Sequence, residues 1–189
     1  MSVPPRIIPG DLYFLIQVNG RVIEIREHQS LHMAGNVEQN SGPHGCFVHT
    51  STHFQEVHNH HIERNADISL HNVFTGPNFC RNYDLYRFFP GMIEPGLRSY
   101  HLDGVNTHLA EASIHYRDEY GVDWFSNIGD QFKHHNFTIQ QSEPIHGALY
   151  PVQLTQRVGG HFNCRLYDLR GNEMEVEYGE FLVDFHFSK

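Results

Sequence analysis

"LYFLIQVNGRVIEIRE", residues 12–27, is two runs of alternating apolar residues set around Asn19-Gly20. Alternation at a period of two marks a strand with one buried face. Asn-Gly is the strongest short hairpin signal, because both residues accept positive φ. The stretch therefore reads as a β-hairpin. "NEMEVEYGEFLVDFHF" (172–187) alternates too, with Met174, Val176 and Tyr178 on one face and then Phe181, Val183, Phe185 and Phe187. Gly179 between the two sets predicts a bulge or bend. "THLAEASIHYRDEYG" (107–121) fits either element. Leu109, Ala112, Tyr116 and Tyr120 have helical spacing with Gly121 as a stop, while Ala110, Ala112, Ile114 and Tyr116 alternate.

The chain also repeats itself. "ISLHNVFTGPNFCRNYDL" (68–85) aligns without a gap to "VQLTQRVGGHFNCRLYDL" (152–169), sharing seven residues at an offset of 84. Unrelated stretches of this length share roughly one. The echo continues upstream, with "IIPG" (7–10) against "IEPG" (93–96) and Asn19-Gly20 against Asp103-Gly104. The expected fold is thus mainly β: an internally duplicated antiparallel barrel or sandwich with pseudo-two-fold symmetry and at most one or two short helices. Residues 1–189 read as a single domain of two similar halves, about 8–92 and 93–178, plus a C-terminal strand. A half of that size is marginal alone and gains by packing against its twin.

In each copy of Cys-Arg-x-Tyr-Asp-Leu, strand alternation sends Arg81, Tyr83 and Leu85 to one face and Cys80, Asn82 and Asp84 to the other. Recurrence of the set at 164–169 points to a shared structural need: an arginine satisfied by carboxylates or carbonyls and a tyrosine whose hydroxyl finds a partner. The motif is read as scaffold.

Composition narrows the function. Net charge is −9, lysine occurs only as Lys133 and Lys189, and no basic run is present. A phosphate-neutralising groove is not expected, so nucleic acid is excluded as a first partner. The longest apolar stretch, "LYFLIQV", is far short of a membrane span, and the N-terminus carries no signal pattern. The expected setting is cytoplasmic, with reduced Cys46, Cys80 and Cys164. No phosphate loop, nucleophile elbow or HExxH occurs. Carboxylate pairs such as Glu111 with Asp118 or Glu119 with Asp123 read as solvated faces.

What points at chemistry is histidine. "HTSTHFQEVHNHHIE" (49–63) holds five of the chain's 17 histidines. Thr50, Ser51, Thr52, Val57 and Asn59 are poor helix formers, so the cluster reads as strand. On one strand His58 and His60 share a face about 6–7 Å apart, which lets two imidazoles converge on one ion at about 2.0–2.2 Å. The candidate metal ligands are His53, His58, His60 and Glu63, with His134, His135 and His146 as contributors from the second half. A divalent metal is the cofactor this pattern admits. The expected function is a small-molecule enzyme, a metal-dependent lyase, isomerase or oxygenase, or one using histidine acid–base chemistry without metal. The alternatives are a non-catalytic ligand-binding barrel or sandwich and a structural assembly subunit, with homo-oligomers admitted in each case.

Overall fold

The computed structural model describes residues 12–27, 30–34, 38–42, 45–58, 61–74, 91–101, 111–145 and 153–188. Twelve strands make up one sheet: β1 (Tyr13–Val18), β2 (Arg21–Arg26), β3 (Ser30–Ala34), β4 (Glu38–Gly42), β5 (Gly45–His58), β6 (His61–Phe74), β7 (Gly96–Tyr100), β8 (Glu111–Arg117), β9 (Asp123–Phe125), β10 (Asn136–Pro144), β11 (Gln153–Tyr167) and β12 (Glu173–Ser188). Among the described residues the α-helical content is one turn at 91–93, and no helix is long and apolar enough to cross a membrane.

The strands follow the order β2-β1-β12-β11-β10-β7-β8-β6-β5-β3, with β4 beside β5. The three-residue β9 pairs with both β8 and β11 and so closes a five-strand barrel, β7-β8-β9-β11-β10. Every pairing is antiparallel except β7–β8. The remaining strands extend the sheet from the barrel on both sides. The fold is mainly β and holds a closed barrel, as expected, but one of the five pairings in the ring is parallel rather than antiparallel. The first Cys-Arg-x-Tyr-Asp-Leu copy, 80–85, lies outside the described residues.

Local chemistry explains the elements. Asn19 and Gly20 take φ of 50° and 73° between paired Val18 and Arg21. That is the type I′ turn whose twist matches the strands it joins. Phe14, Ile16, Ile23 and Ile25 then fall on the buried face. In β12 the buried parity changes from Val176 to Phe181, Val183 and Phe185, and the pairing with β11 slips between Phe162 and Cys164. This is the irregularity expected at Gly179, and a side chain there would stand 2.3 Å from the Phe162 ring. Of residues 107–121, 111–117 form strand β8, in which Ala112, Ile114 and Tyr116 are buried, and 118–121 form a turn. The core is largely aromatic, with the Phe137 ring 5.1 Å from Phe181 and 6.0 Å from Phe162, and Phe14 5.8 Å from Phe162.

Two turns share one design. After β8, the Asp118 carboxylate accepts from the amides of Tyr120 (2.9 Å) and Val122 (3.0 Å). After β11, Asp168 accepts from the amides of Arg170 (2.9 Å) and Asn172 (2.8 Å). Each turn closes through Gly121 or Gly171, at φ of 77° and 84°, a left-handed conformation that glycine adopts without steric cost. At this second copy the scaffold reading of Cys-Arg-x-Tyr-Asp-Leu holds. Cys164 and Leu166 are buried, and Asp168 braces the turn. Arg165 pairs with Glu173 (2.7 Å) and Glu175 (3.2 Å), and the Tyr167 hydroxyl donates to the Asp130 carbonyl at 2.6 Å.

Candidate functional site

Strands β5, β6 and β8 lie side by side, and their alternation divides the residues. Phe54, Ala66, Ile68, Leu70, Ala112, Ile114 and Tyr116 fill the core. The opposite face carries four polar rows set by register: His49–His71–Glu111, Ser51–Ser69–Ser113, His53–Asp67–His115 and Gln55–Asn65–Arg117. The sequence beneath this is a five-residue pattern repeated on three strands, "HTSTH" (49–53), "DISLH" (67–71) and "EASIH" (111–115), each alternating around a serine.

The third row is a continuous chain of hydrogen bonds. One Asp67 oxygen meets Nδ1 of His53, and the other meets Nδ1 of His115 at 2.6 Å. Nε2 of His115 meets Asp123 at 2.9 Å, and Arg117 donates to both Asp123 oxygens at 2.8 and 2.6 Å. The Phe125 ring stacks on His115 at 4.6 Å, which fixes the imidazole plane. Burial pushes the Asp67 carboxyl up, but the hydrogen bonds from His115 and His53 outweigh it and hold the group below the ordinary range. Burial likewise opposes charge on His115, and the bonds to Asp67 and Asp123 outweigh it, so its pKa is raised. Asp123 is lowered, first by the Arg117 hydrogen bond. With a carboxylate facing each ring nitrogen, the charged form of His115 is favoured, and the bonds from His115 and His53 favour the ionised form of Asp67. The His53 side chain is 24% exposed, and its Nε2 has no partner among the described residues. With Nδ1 donating to Asp67, that Nε2 presents a lone pair.

The first row is built differently. His71 stacks between His49 (5.0 Å) and His101 (4.4 Å), its Nε2 lies 2.9 Å from the Ser113 hydroxyl, and Nδ1 of His101 meets the buried Glu111 at 2.6 Å. Stacked rings hold their nitrogens in parallel planes, so the lone pairs do not converge on an ion. Burial, then the neighbouring His101 and His49, press the His71 pKa down to about 3. A serine beside so weak a base is not an activated nucleophile.

Among the described residues, one group has the spacing that could hold a metal ion: His134, His135 and Glu175, with one ligand atom from each within 4.8 Å of the others. Nε2 of His135 lies 2.8 Å and Nε2 of His134 3.9 Å from the same Glu175 oxygen. Burial raises Glu175, but bonds from His135 and Arg165 outweigh it and lower its pKa. The tautomer sets a cost on metal, however. The Phe132 amide donates to Nδ1 of His135 at 3.0 Å, so the ring proton is on Nε2, facing Glu175. An ion at Nε2 sends that proton to Nδ1, against the Phe132 N–H, and breaks a bond that braces the 132–135 turn.

Of the ligands expected from the sequence, His53 stands in the Asp67 row. Glu63 is exposed on β6, four residues from the Asp67 that faces His53, or roughly 13 Å along the strand, so the two do not meet. The continuous strand expected through 58–63 is divided. β5 ends at His58, β6 begins at His61, and these two residues pair. The side chain of His58 and the whole of His60 lie outside the described residues, as does His146. The carboxylates read as solvated are engaged: Glu111 with His101, Asp118 in its turn, Glu119 with Arg21, and Asp123 with Arg117. Asp67 and His115 were missed by the sequence reading, although the acid-x-Ser-x-His pattern at 67–71 and 111–115 carries the signal. Comparison with protein-family models, curated proteins and solved structures finds no match to this chain.

Proposed function

We propose that the chain is a small-molecule enzyme that works by histidine acid–base chemistry, with His53 as the proton acceptor. The observation that carries this is Asp67, whose two oxygens each hold one imidazole. As Nε2 of His53 takes a proton from a bound molecule, the carboxylate facing Nδ1 stabilises the imidazolium that forms. His115, already charged, keeps Asp67 ionised and unable to take the proton itself. Such positioned proton transfer contributes typically 10²–10⁴-fold to a rate. Proton abstraction suits a lyase or an isomerase. The partner is a small molecule, since the net charge of −9 without a basic run gives nucleic acid no electrostatic footing. A second reading places a divalent ion at His134, His135 and Glu175, favoured by their spacing and opposed by the Phe132–His135 bond. We also infer that the halves 8–92 and 93–178 arose by duplication, on the 84-residue echo that sets the start of β1 against the second residue of β7.

The test is to incubate the protein with a soluble small-molecule extract and follow each compound by mass spectrometry. Compounds consumed by the wild type should persist with His53→Gln and still be consumed with His134→Ala. Turnover that survives His53→Gln but not His134→Ala replaces this reading with the metal one. No compound changed by the wild type sinks both.

A further inference from the structure

We propose that the molecule acted on at His53 is a neutral polyhydroxylated compound, a sugar or polyol, held through a second hydroxyl by Asn65. This rests on the reading of His53 given above. Asn65 is 8% exposed and stands one row from Asp67 on the same face of β6. Its Oδ1 is buried and accepts no hydrogen bond. A buried acceptor left empty costs free energy that an apolar residue of the same size avoids, so the position is best explained by a donor from outside the chain. Its cross-strand neighbours are Gln55 and Arg117. Arg117 is committed to both oxygens of Asp123 through Nε and Nη2.

The row of His53 thus offers a second empty acceptor, Nε2, roughly 7 Å from the row of Asn65 at strand spacing. A ligand that fills both brings two donors a few carbons apart. The charges around them are already matched, Asp67 with His115 and Asp123 with Arg117, so neither an anion nor a cation finds an unpaired counter-charge. Ser51 and Ser69, one row beyond on the other side, add hydroxyls that both donate and accept. Hydroxyl groups on adjacent carbons match this set, because each can donate to one residue and accept from the next.

The experiment titrates ¹⁵N,¹³C-labelled full-length protein with sorbitol, xylitol and glucose, and with their fully O-methylated forms. The readouts are the His53 ring and Asn65 side-chain resonances. At least one free polyol should shift both sets together, and no methylated form should. Asn65→Leu should weaken that binding about tenfold or more, while the His53 Nδ1 proton keeps its Asp67-bonded shift. The proposal is overturned by methylated forms that bind equally, by no compound shifting the two residues together, or by a folded Asn65→Leu chain that binds like the wild type. If Asn65→Leu does not fold, the methylated pairs decide alone. Polyol binding at both residues with no turnover removes the enzymatic reading and leaves this site standing.

Discussion

The imidazole stack makes a quantitative demand on stability. His71 is pressed to a pKa of about 3 by burial and by its two stacked neighbours, against about 6.5 in an unfolded chain. Because the folded value is the lower one, the unfolded chain binds between these pH values a proton that the folded chain refuses. Stability therefore falls as pH drops below about 6.5, and goes on falling until about 3, by about 1.4 kcal/mol per pH unit. At pH 5 the loss from His71 is about 2 kcal/mol, and at pH 7.5 it is absent. Replacing His71→Gln removes the titrating group while keeping a polar end near Ser113. Urea unfolding of both chains at pH 7.5 and pH 5.0 gives the comparison. The wild type should lose about 2 kcal/mol more than the variant between the two conditions. Contributions from His115 and Asp67 occur in both chains and cancel in the difference. A difference near zero refutes the reasoning, because it means that the stack accepts a proton without penalty.

Three other outcomes are expected. The raised pKa of His115 stabilises the fold fully below about pH 6.5, and this contribution is lost as pH rises through the folded value. His115→Gln should accordingly cost most in mildly acid solution, and a ring titration by NMR that shows no upward shift would contradict the assignment. Gly171→Ala, at φ of 84°, should lower stability by about 1–2 kcal/mol and Gly171→Asn by less, read as the shift in thermal midpoint. Zinc added to the protein should bind weakly at His134, His135 and Glu175 and speed exchange of the Phe132 amide. Tight binding with that amide still protected would show the His135 tautomer to be wrongly assigned.

Local patterns carried much of the fold. Asn19-Gly20 specifies its turn, the parity change in 172–187 locates the irregularity at Gly179, and "CRLYDL" alternates as it reads. Ring closure was not legible. β9 has three residues, too few for any period to show, and its two partners lie before and after it in the chain. The site was hidden for a related reason. Histidine density drew the reading to 58–63, whereas the His53–Asp67–His115 row is assembled by register. Asp67 meets His53 and His115 only because β6 pairs with β5 and β8 at those positions, and a slip of β6 by one residue sends Asp67 to the other face. Of the expected ligands, His53 lies in a described polar cluster with Asp67 as its partner, and His134 and His135 lie in another with Glu175.

The β7–β8 pairing has a consequence for the lifetime of the folded state. It is parallel and holds two residue pairs, Ser99↔Glu111 and Tyr100↔Ala112, yet the ring is open without it. Long neighbouring hairpins such as β11–β12 and β5–β6 need little loop-closure entropy and suit an early nucleus, whereas this seam gains its contacts only after the flanking strands are in place. Interactions absent from the transition state set the rate of unfolding. Tyr100→Phe, which loses the hydroxyl bonds that anchor the seam strand β7 to the Asn136 and Asn163 carbonyls of β10 and β11, should therefore accelerate unfolding and leave refolding nearly unchanged. Val183→Ala in β12 should slow refolding instead. Equal effects of the two substitutions on refolding in stopped-flow measurements would place the seam in the nucleus. If the seam is late, the persistence of the native barrel is governed at this short parallel pairing, and the kinetic half-life can be tuned at its core-facing pair, Tyr100↔Ala112, without touching the polar face of β5, β6 and β8.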